Sequence, residues 1–77
     1  MKKSIHSAKY IKLLSWLKKC REEKGLTMRQ LGGLLNQPHS FVGKIETAER
    51  RLDVAEYIEY CEALEINPHE GIDLLNQ

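Results

Sequence analysis

Apolar residues recur along this chain at the spacing of helices. Tyr10, Leu13, Leu14, Leu17 and Cys20 stand at i, i+3, i+4, i+7 and i+10, one stripe on a helix from about residue 7 to 24. Gly25 closes that helix, with Lys24 in its last turn. Trp16 lies off the stripe among lysines and reads either as partly buried against a neighbouring element or as an interface anchor. Thr27-Met28-Arg29-Gln30 is a capping box, the Thr hydroxyl accepting from a first-turn N–H while Gln30 reaches back. The helix it opens, residues 28–35, is two turns long, and Asn36 behind it tolerates a left-handed backbone. Another helix is predicted over 38–46, with Pro38 in its first turn and Phe41, Val42 and Ile45 as apolar positions. Asp53-Val54-Ala55-Glu56 repeats the capping pattern, and Leu52 with Tyr57 has the spacing of a hydrophobic staple. Val54, Tyr57, Ile58, Cys61 and Leu64 then form a second long stripe. Asn67 and Pro68 open a last short helix whose Ile72, Leu74 and Leu75 face the bundle or a partner. With no strand signal and no repeat, the pattern predicts an all-α chain, a compact five-helix bundle. It forms a single domain over 1–77, with residues 1–6 as a flexible basic arm.

Composition changes this picture in one respect. At 77 residues, 42% hydrophobic and 30% charged, the chain is long enough for one modest globular domain. Its net charge of +1 conceals a strong segregation. Residues 1–24 hold eight basic groups against two acidic ones, and residues 25–52 hold four against two. Residues 53–77 hold seven acids and no Lys or Arg, so one end can meet a polyanion that the other end repels. Apolar runs never exceed two residues, too short for a signal peptide or a membrane span. Cys20 and Cys61 lack a Cys-x-x-Cys spacing, and His6, His39 and His69 lack a metal-ligand spacing. No metal or cofactor site is therefore expected, and both cysteines read as buried thiols in a reducing cytoplasm. Without a nucleophile–base pair, a metal constellation or a phosphate loop, no enzyme is expected either.

The candidate chemistry lies in the two short helices, at about 27–46. A helix-turn-helix needs a small residue where its helices cross, and Gly32 supplies one. It needs a left-handed turn four positions later, which Asn36 can take, and apolar side chains that dock the second helix. Leu31, Leu35, Val42 and Ile45 fit that role. The second helix can then lie in a DNA major groove with its first residues at base edges. The segments Leu26-Thr27-Met28-Arg29-Gln30-Leu31-Gly32, Ser40-Phe41-Val42-Gly43-Lys44-Ile45-Glu46 and Glu49-Arg50-Arg51-Leu52-Asp53 carry a family resemblance, as does Arg21-Glu22-Glu23-Lys24-Gly25 before them. Together they resemble the Cro/C1-type (XRE) helix-turn-helix family over roughly residues 13–68.

The resemblance implies a lambda-repressor-like DNA-binding domain. Its expected function is that of a sequence-specific transcriptional regulator of double-stranded DNA, a repressor, reading the major groove with helix 38–46 as a homodimer. Carried over position by position, His39, Ser40 and Lys44 are the expected base contacts, the Lys44 ammonium suiting guanine O6 and N7. Phe41 either packs beside the preceding helix or touches a thymine methyl or sugar. Thr27, Arg29, Gly43, Arg50 and Arg51 are the expected DNA-backbone contacts, Gly43 by letting the main chain approach closely. Lys2, Lys3 and Lys9 are either solvated or an added electrostatic arm. Two positions depart from the family pattern: Met28 replaces a usual Gln and cannot donate a hydrogen bond, and Gln37 replaces a commonly apolar turn residue. The acidic half, with Trp16 and the Ile72-Leu74-Leu75 end, is the expected two-fold contact. The alternatives are an antitoxin-like or controller protein that regulates its own operon, and a protein-interaction module that has kept the bundle but lost DNA binding. No membrane association and no small-molecule effector are expected.

Overall fold

In the computed structural model, which describes residues 7–77, the chain forms α1 (Ala8–Glu23), α2 (Met28–Leu34), α3 (Ser40–Glu46), α4 (Val54–Leu64) and α5 (Pro68–Leu75). No strand occurs among the described residues. The basic arm expected at 1–6, with Lys2 and Lys3, lies outside them.

Helix starts follow the side chains that the sequence places there. Ser7 Oγ accepts the Tyr10 N–H at 3.1 Å. Both bonds of the capping box form at α2, Gln30 N–H to Thr27 Oγ1 at 3.0 Å and Thr27 N–H to Gln30 Oε1 at 2.8 Å. Asp53 and Glu56 exchange the same pair at α4, at 2.7 and 3.1 Å, and Asn67 Oδ1 accepts from His69 N–H at 2.9 Å. Helix ends follow one rule as well. Gly25, Asn36, Ala48 and Glu65 take φ of 71, 60, 61 and 58° behind α1 to α4. The next N–H in each case reaches back five residues: Leu26 to Arg21, Gln37 to Gly32, Glu49 to Lys44 and Ile66 to Cys61. Gly25 and Asn36 adopt this conformation readily, whereas Ala48 and Glu65 each cost about 1–2 kcal/mol to hold there.

The turn of the helix pair is longer than predicted. The Gln37 N–H is spent closing α2, so Pro38 and His39 must turn the chain, and Phe41 N–H bonds the Pro38 carbonyl at 2.9 Å. Helix α3 consequently begins at Ser40 rather than at residue 38.

The core is the meeting of the inward faces of α1, α2, α3 and α4. Leu17, Leu31, Val42, Ile45, Tyr60, Cys61 and Leu64 are essentially inaccessible. The stripe expected on α4 is out of phase at two places. Val54 is 80% exposed and Ile58 40%, while Tyr60 turns inward, so the buried set runs 57, 60, 61, 64. Helix α5 packs chiefly on α1. It does so backbone-first at Gly71, where a Cβ would come within 2.7 Å of Trp16 Cζ3 and 2.8 Å of Leu13 Cδ1. Trp16 is thus half-buried between α1 and α5, the first of its two sequence readings. Both cysteines are buried free thiols, and burial raises their pKa values.

A buried ion pair lies inside this core. Arg21 Nε donates to Glu46 Oε2 at 2.7 Å and Nη2 to Oε1 at 3.3 Å, with the two side chains only 9% and 5% exposed. Arg21 Nη1 also donates to the Leu26 carbonyl at 2.8 Å. The end of α1, the chain entering α2 and the last turn of α3 are therefore held by one guanidinium. The hydrogen bond to Glu46 raises the Arg21 pKa further above its ordinary value. The Tyr60 hydroxyl is buried without a hydrogen-bond partner among the described residues, and burial and then the Glu46 carboxylate push its pKa up. Glu46→Ala strands the buried guanidinium and is expected to cost about 3–5 kcal/mol in urea unfolding. That equals the whole stability typical of so short a chain. The double replacement Arg21→Met with Glu46→Leu should recover most of the loss, because it removes both charges together.

Candidate nucleic-acid interface

Helices α2 and α3 form the helix-turn-helix unit. Leu31 from α2 and Val42 and Ile45 from α3 are wholly buried, and Leu35 is half-buried. At the crossing, a Cβ on Gly32 would stand 3.3 Å from the Pro38 carbonyl oxygen and 3.6 Å from that of Gln37. A side chain there would push the turn outward, so glycine sets the closeness of approach. Asn36 is exposed and contributes through its left-handed φ rather than through packing.

With Phe41, Val42 and Ile45 turned inward, the helical period brings Ser40, Gly43, Lys44 and Thr47 to the outer side of α3. His39, Ser40 and Lys44 are all exposed, and Gly43 is half-buried. Thr27, Arg29 and Arg51 are exposed as well. Arg29, Lys44 and Arg51 take part in no ion pair among the described residues.

Two expected contacts are engaged elsewhere. Phe41 is only 6% exposed, so the packing role is the one the fold gives it. The Arg50 guanidinium lies 4.8 Å from the centroid of that ring, a cation–π contact. Arg50 also grips Glu56 with both arms, Nη1 to Oε1 at 2.9 Å and Nη2 to Oε2 at 2.8 Å, and donates to the Arg51 carbonyl at 3.0 Å. Its planar fork is engaged within the chain, whereas its neighbour Arg51 is exposed and takes part in no ion pair among the described residues. Glu56 serves twice, since the same carboxylate caps Asp53 N–H. The hydrogen bond from Arg50, and after it that from the Asp53 backbone, hold the Glu56 pKa below the ordinary carboxylate range.

Met28, which the sequence presents only as the loss of a donor, packs across the helix pair: its sulfur is 3.6 Å from the place where a Cβ on Gly43 would stand. The pairing of a long apolar side chain in one helix with a glycine in the next was the available signal.

Glu49 lies beside the outer side of α3, its Oε2 accepting from Thr47 Oγ1 at 2.7 Å, and three other carboxylates collect at the far end of α2. Glu59, Glu62 and Glu65 border a groove with Gly33, Leu34, Leu35, Asn36 and Ala63, at the end of α2 opposite Thr27 and Met28. A second, more apolar groove of about 200 Å³ runs between α1, the start of α4 and α5. Among the described residues, no group of three or more His, Cys, Asp or Glu is placed to hold a metal ion. No described helix is long and apolar enough to cross a membrane.

The helix-turn-helix family model matches residues 17–70, spanning all of α2, α3 and α4. Among solved structures, an XRE-family like protein from Pseudomonas syringae pv. tomato str. DC3000 superposes with a TM-score of 0.86 at 40% identity, covering 95% of this chain and 89% of that one. The restriction-modification controller protein C.AhdI from Aeromonas hydrophila superposes with a TM-score of 0.76 at 30% identity, covering 86% and 96%. No curated protein matches the chain.

The Arg50–Glu56 geometry has a pH signature. A carboxylate with a lowered folded-state pKa adds stability above its unfolded pKa and loses it as pH falls through the folded one. Gln at position 56 can keep the cap, as Gln30 does at α2, but cannot pair with Arg50. Glu56→Gln should therefore be less stable than wild type at neutral pH by less than about 1 kcal/mol, the pair being partly solvent-exposed. Urea titrations at descending pH are expected to show the two proteins converging below the ordinary carboxylate range.

Proposed function

The chain belongs to the helix-turn-helix family, of the Cro/C1 or XRE type, and from that premise we propose that it is a sequence-specific double-stranded DNA-binding regulator of transcription, acting as a repressor and as a homodimer. The observation that carries this reading is the outer side of α3, where His39, Ser40 and Lys44 project from a helix whose opposite side is wholly buried. Such a helix can enter a major groove without unfolding anything behind it. Lys44 donates to guanine O6 or N7, and His39 and Ser40 donate to or accept from neighbouring base edges. Thr27, Arg29, Gly43 and Arg51 lie against the sugar–phosphate chain and set the register without reading sequence.

One recognition helix per chain reads a short site, and two copies on a pseudo-palindrome about one helical turn apart supply the rest of the specificity. The two-fold contact of this reading lies on the apolar surface of Val54, Ile72 and Leu75, which borders the groove between α1, α4 and α5. Within DNA binding, a controller that regulates its own operon is the second reading. The 30% identity to a restriction-modification controller protein favours it.

Selection from random duplexes at low salt, with sedimentation of the free protein alongside, tests the reading. A two-fold symmetric motif and twice the chain mass are expected, and enrichment of no motif would sink it. On the selected site, Lys44→Ala should cost about 1–3 kcal/mol and relax one base position in each half. Arg51→Ala should weaken all sequences alike and flatten the salt dependence of binding by about one unit per chain.

A further inference from the structure

The apolar group expected on the DNA side, Phe41, is buried, and another apolar side chain borders the outer side of α3 instead. Met28 stands at the first position of α2 and is 39% exposed. Its sulfur is 3.6 Å from where a Cβ on Gly43 would be. Gly43 sits one turn beyond Ser40 and beside Lys44, on the same side of α3 as both. The thioether is therefore carried onto the middle of the face that α3 presents outward, although Met28 belongs to the other helix. Among the described residues, the other exposed large apolar side chains lie elsewhere: Leu34 at the far end of α2, and Ile11, Val54, Ile58 and Ile72 on α1, α4 and α5.

A thioether has no charge and no donor, so it is unsuited to phosphate and to most base edges. It is polarizable, flexible and apolar, and adapts to small apolar partners. The major groove offers one such partner, the C5-methyl group of thymine. Building on the DNA-reading role proposed above, we infer that Met28 is a specificity-determining residue. Its side chain, seated in the space that Gly43 leaves open, contacts a thymine methyl in each half-site beside the base pair reached by Lys44. Gly43 thereby acts by admitting Met28.

Deoxyuridine in place of thymidine removes that methyl and nothing else, so it gives the test. Each thymine of the selected duplex is replaced in turn, and affinity is measured for wild type, Met28→Leu and Met28→Ala. At one thymine per half-site the wild type should lose about fourfold in affinity, the worth of one buried methyl-sized group. Met28→Leu should retain a comparable loss, and Met28→Ala should bind the thymidine and deoxyuridine duplexes equally. Should Met28→Ala fail to fold, Met28→Gln keeps the length of the side chain and carries the same expectation. A methyl effect of equal size in wild type and Met28→Ala overturns the inference, because another residue then reads the methyl. Insensitivity of the wild type at every thymine overturns it too. Either result leaves the DNA-reading role standing, whereas a selection that enriches no duplex removes that role and this inference together.

Discussion

The buried pairing of Arg21 with Glu46 governs how α3 sits against α1 and the chain entering α2. Removing two charges from water costs several kcal/mol per ion, and the cost is met only if geometry and additional hydrogen bonds are good. Here they are: Arg21 uses Nε and Nη2 on the carboxylate and Nη1 on the Leu26 carbonyl. Those three bonds join the end of α1, the chain entering α2 and the last turn of α3. An apolar contact at the same place could slide or rotate with little penalty. The ion pair cannot, because a shift of α3 along its axis would leave a guanidinium and a carboxylate buried apart. The outer side of α3 is thus presented in a set orientation to whatever it meets.

A second, more exposed knot borders the same helix from the other side. Glu56 closes the α4 capping box and grips Arg50, whose guanidinium in turn lies over Phe41. Phe41 and Arg50 are residue types that suit DNA, an aromatic and a bidentate cation. In the fold, Arg50 stacks on buried Phe41 and ties the α3–α4 loop to Glu56. Internal pairing, not exposure, separates Arg50 from Lys44, Arg29 and Arg51, which are exposed and take part in no ion pair among the described residues. The segregated charge of the sequence maps onto the fold in the same sense. Glu59, Glu62 and Glu65 border the end of α2 remote from Met28.

Much of this was legible in advance, for local reasons. Both capping boxes, the Asn67–Pro68 start and the left-handed turns at Gly25 and Asn36 depend on residue types acting within a few positions, and each formed as read. The register of α4 was not legible, because Val54, Ile58 and Tyr60 are all apolar enough to be core. The packing of α4 against its neighbours chose Tyr60. Nor were the left-handed conformations of Ala48 and Glu65, which those residue types disfavour by themselves. The start of α3 moved for a comparable reason, since the bond that closes α2 uses the Gln37 N–H and lengthens the turn. The outward positions of Lys44, Ser40 and His39 follow from the family resemblance, and all three are exposed. The engagement of Arg50 and the position of Met28 over Gly43 were not legible, because each joins residues from different helices.

By itself, the sequence determined that this is a five-helix bundle with a helix-turn-helix, and which side of α1, α2 and α3 holds its apolar residues. Caps, turn residues and hydrophobic period act over short stretches of chain, so they can be read there. Only the tertiary structure decided which charged and apolar groups remain available at the surface. Arg21, Glu46, Arg50 and Phe41 look as exposable in the sequence as Arg51 or Met28. They differ because partners 25 residues away for Arg21, and six and nine away for Arg50, occupy them in the folded state. Availability is set by the partner's position in space, and that position is a property of the packed bundle.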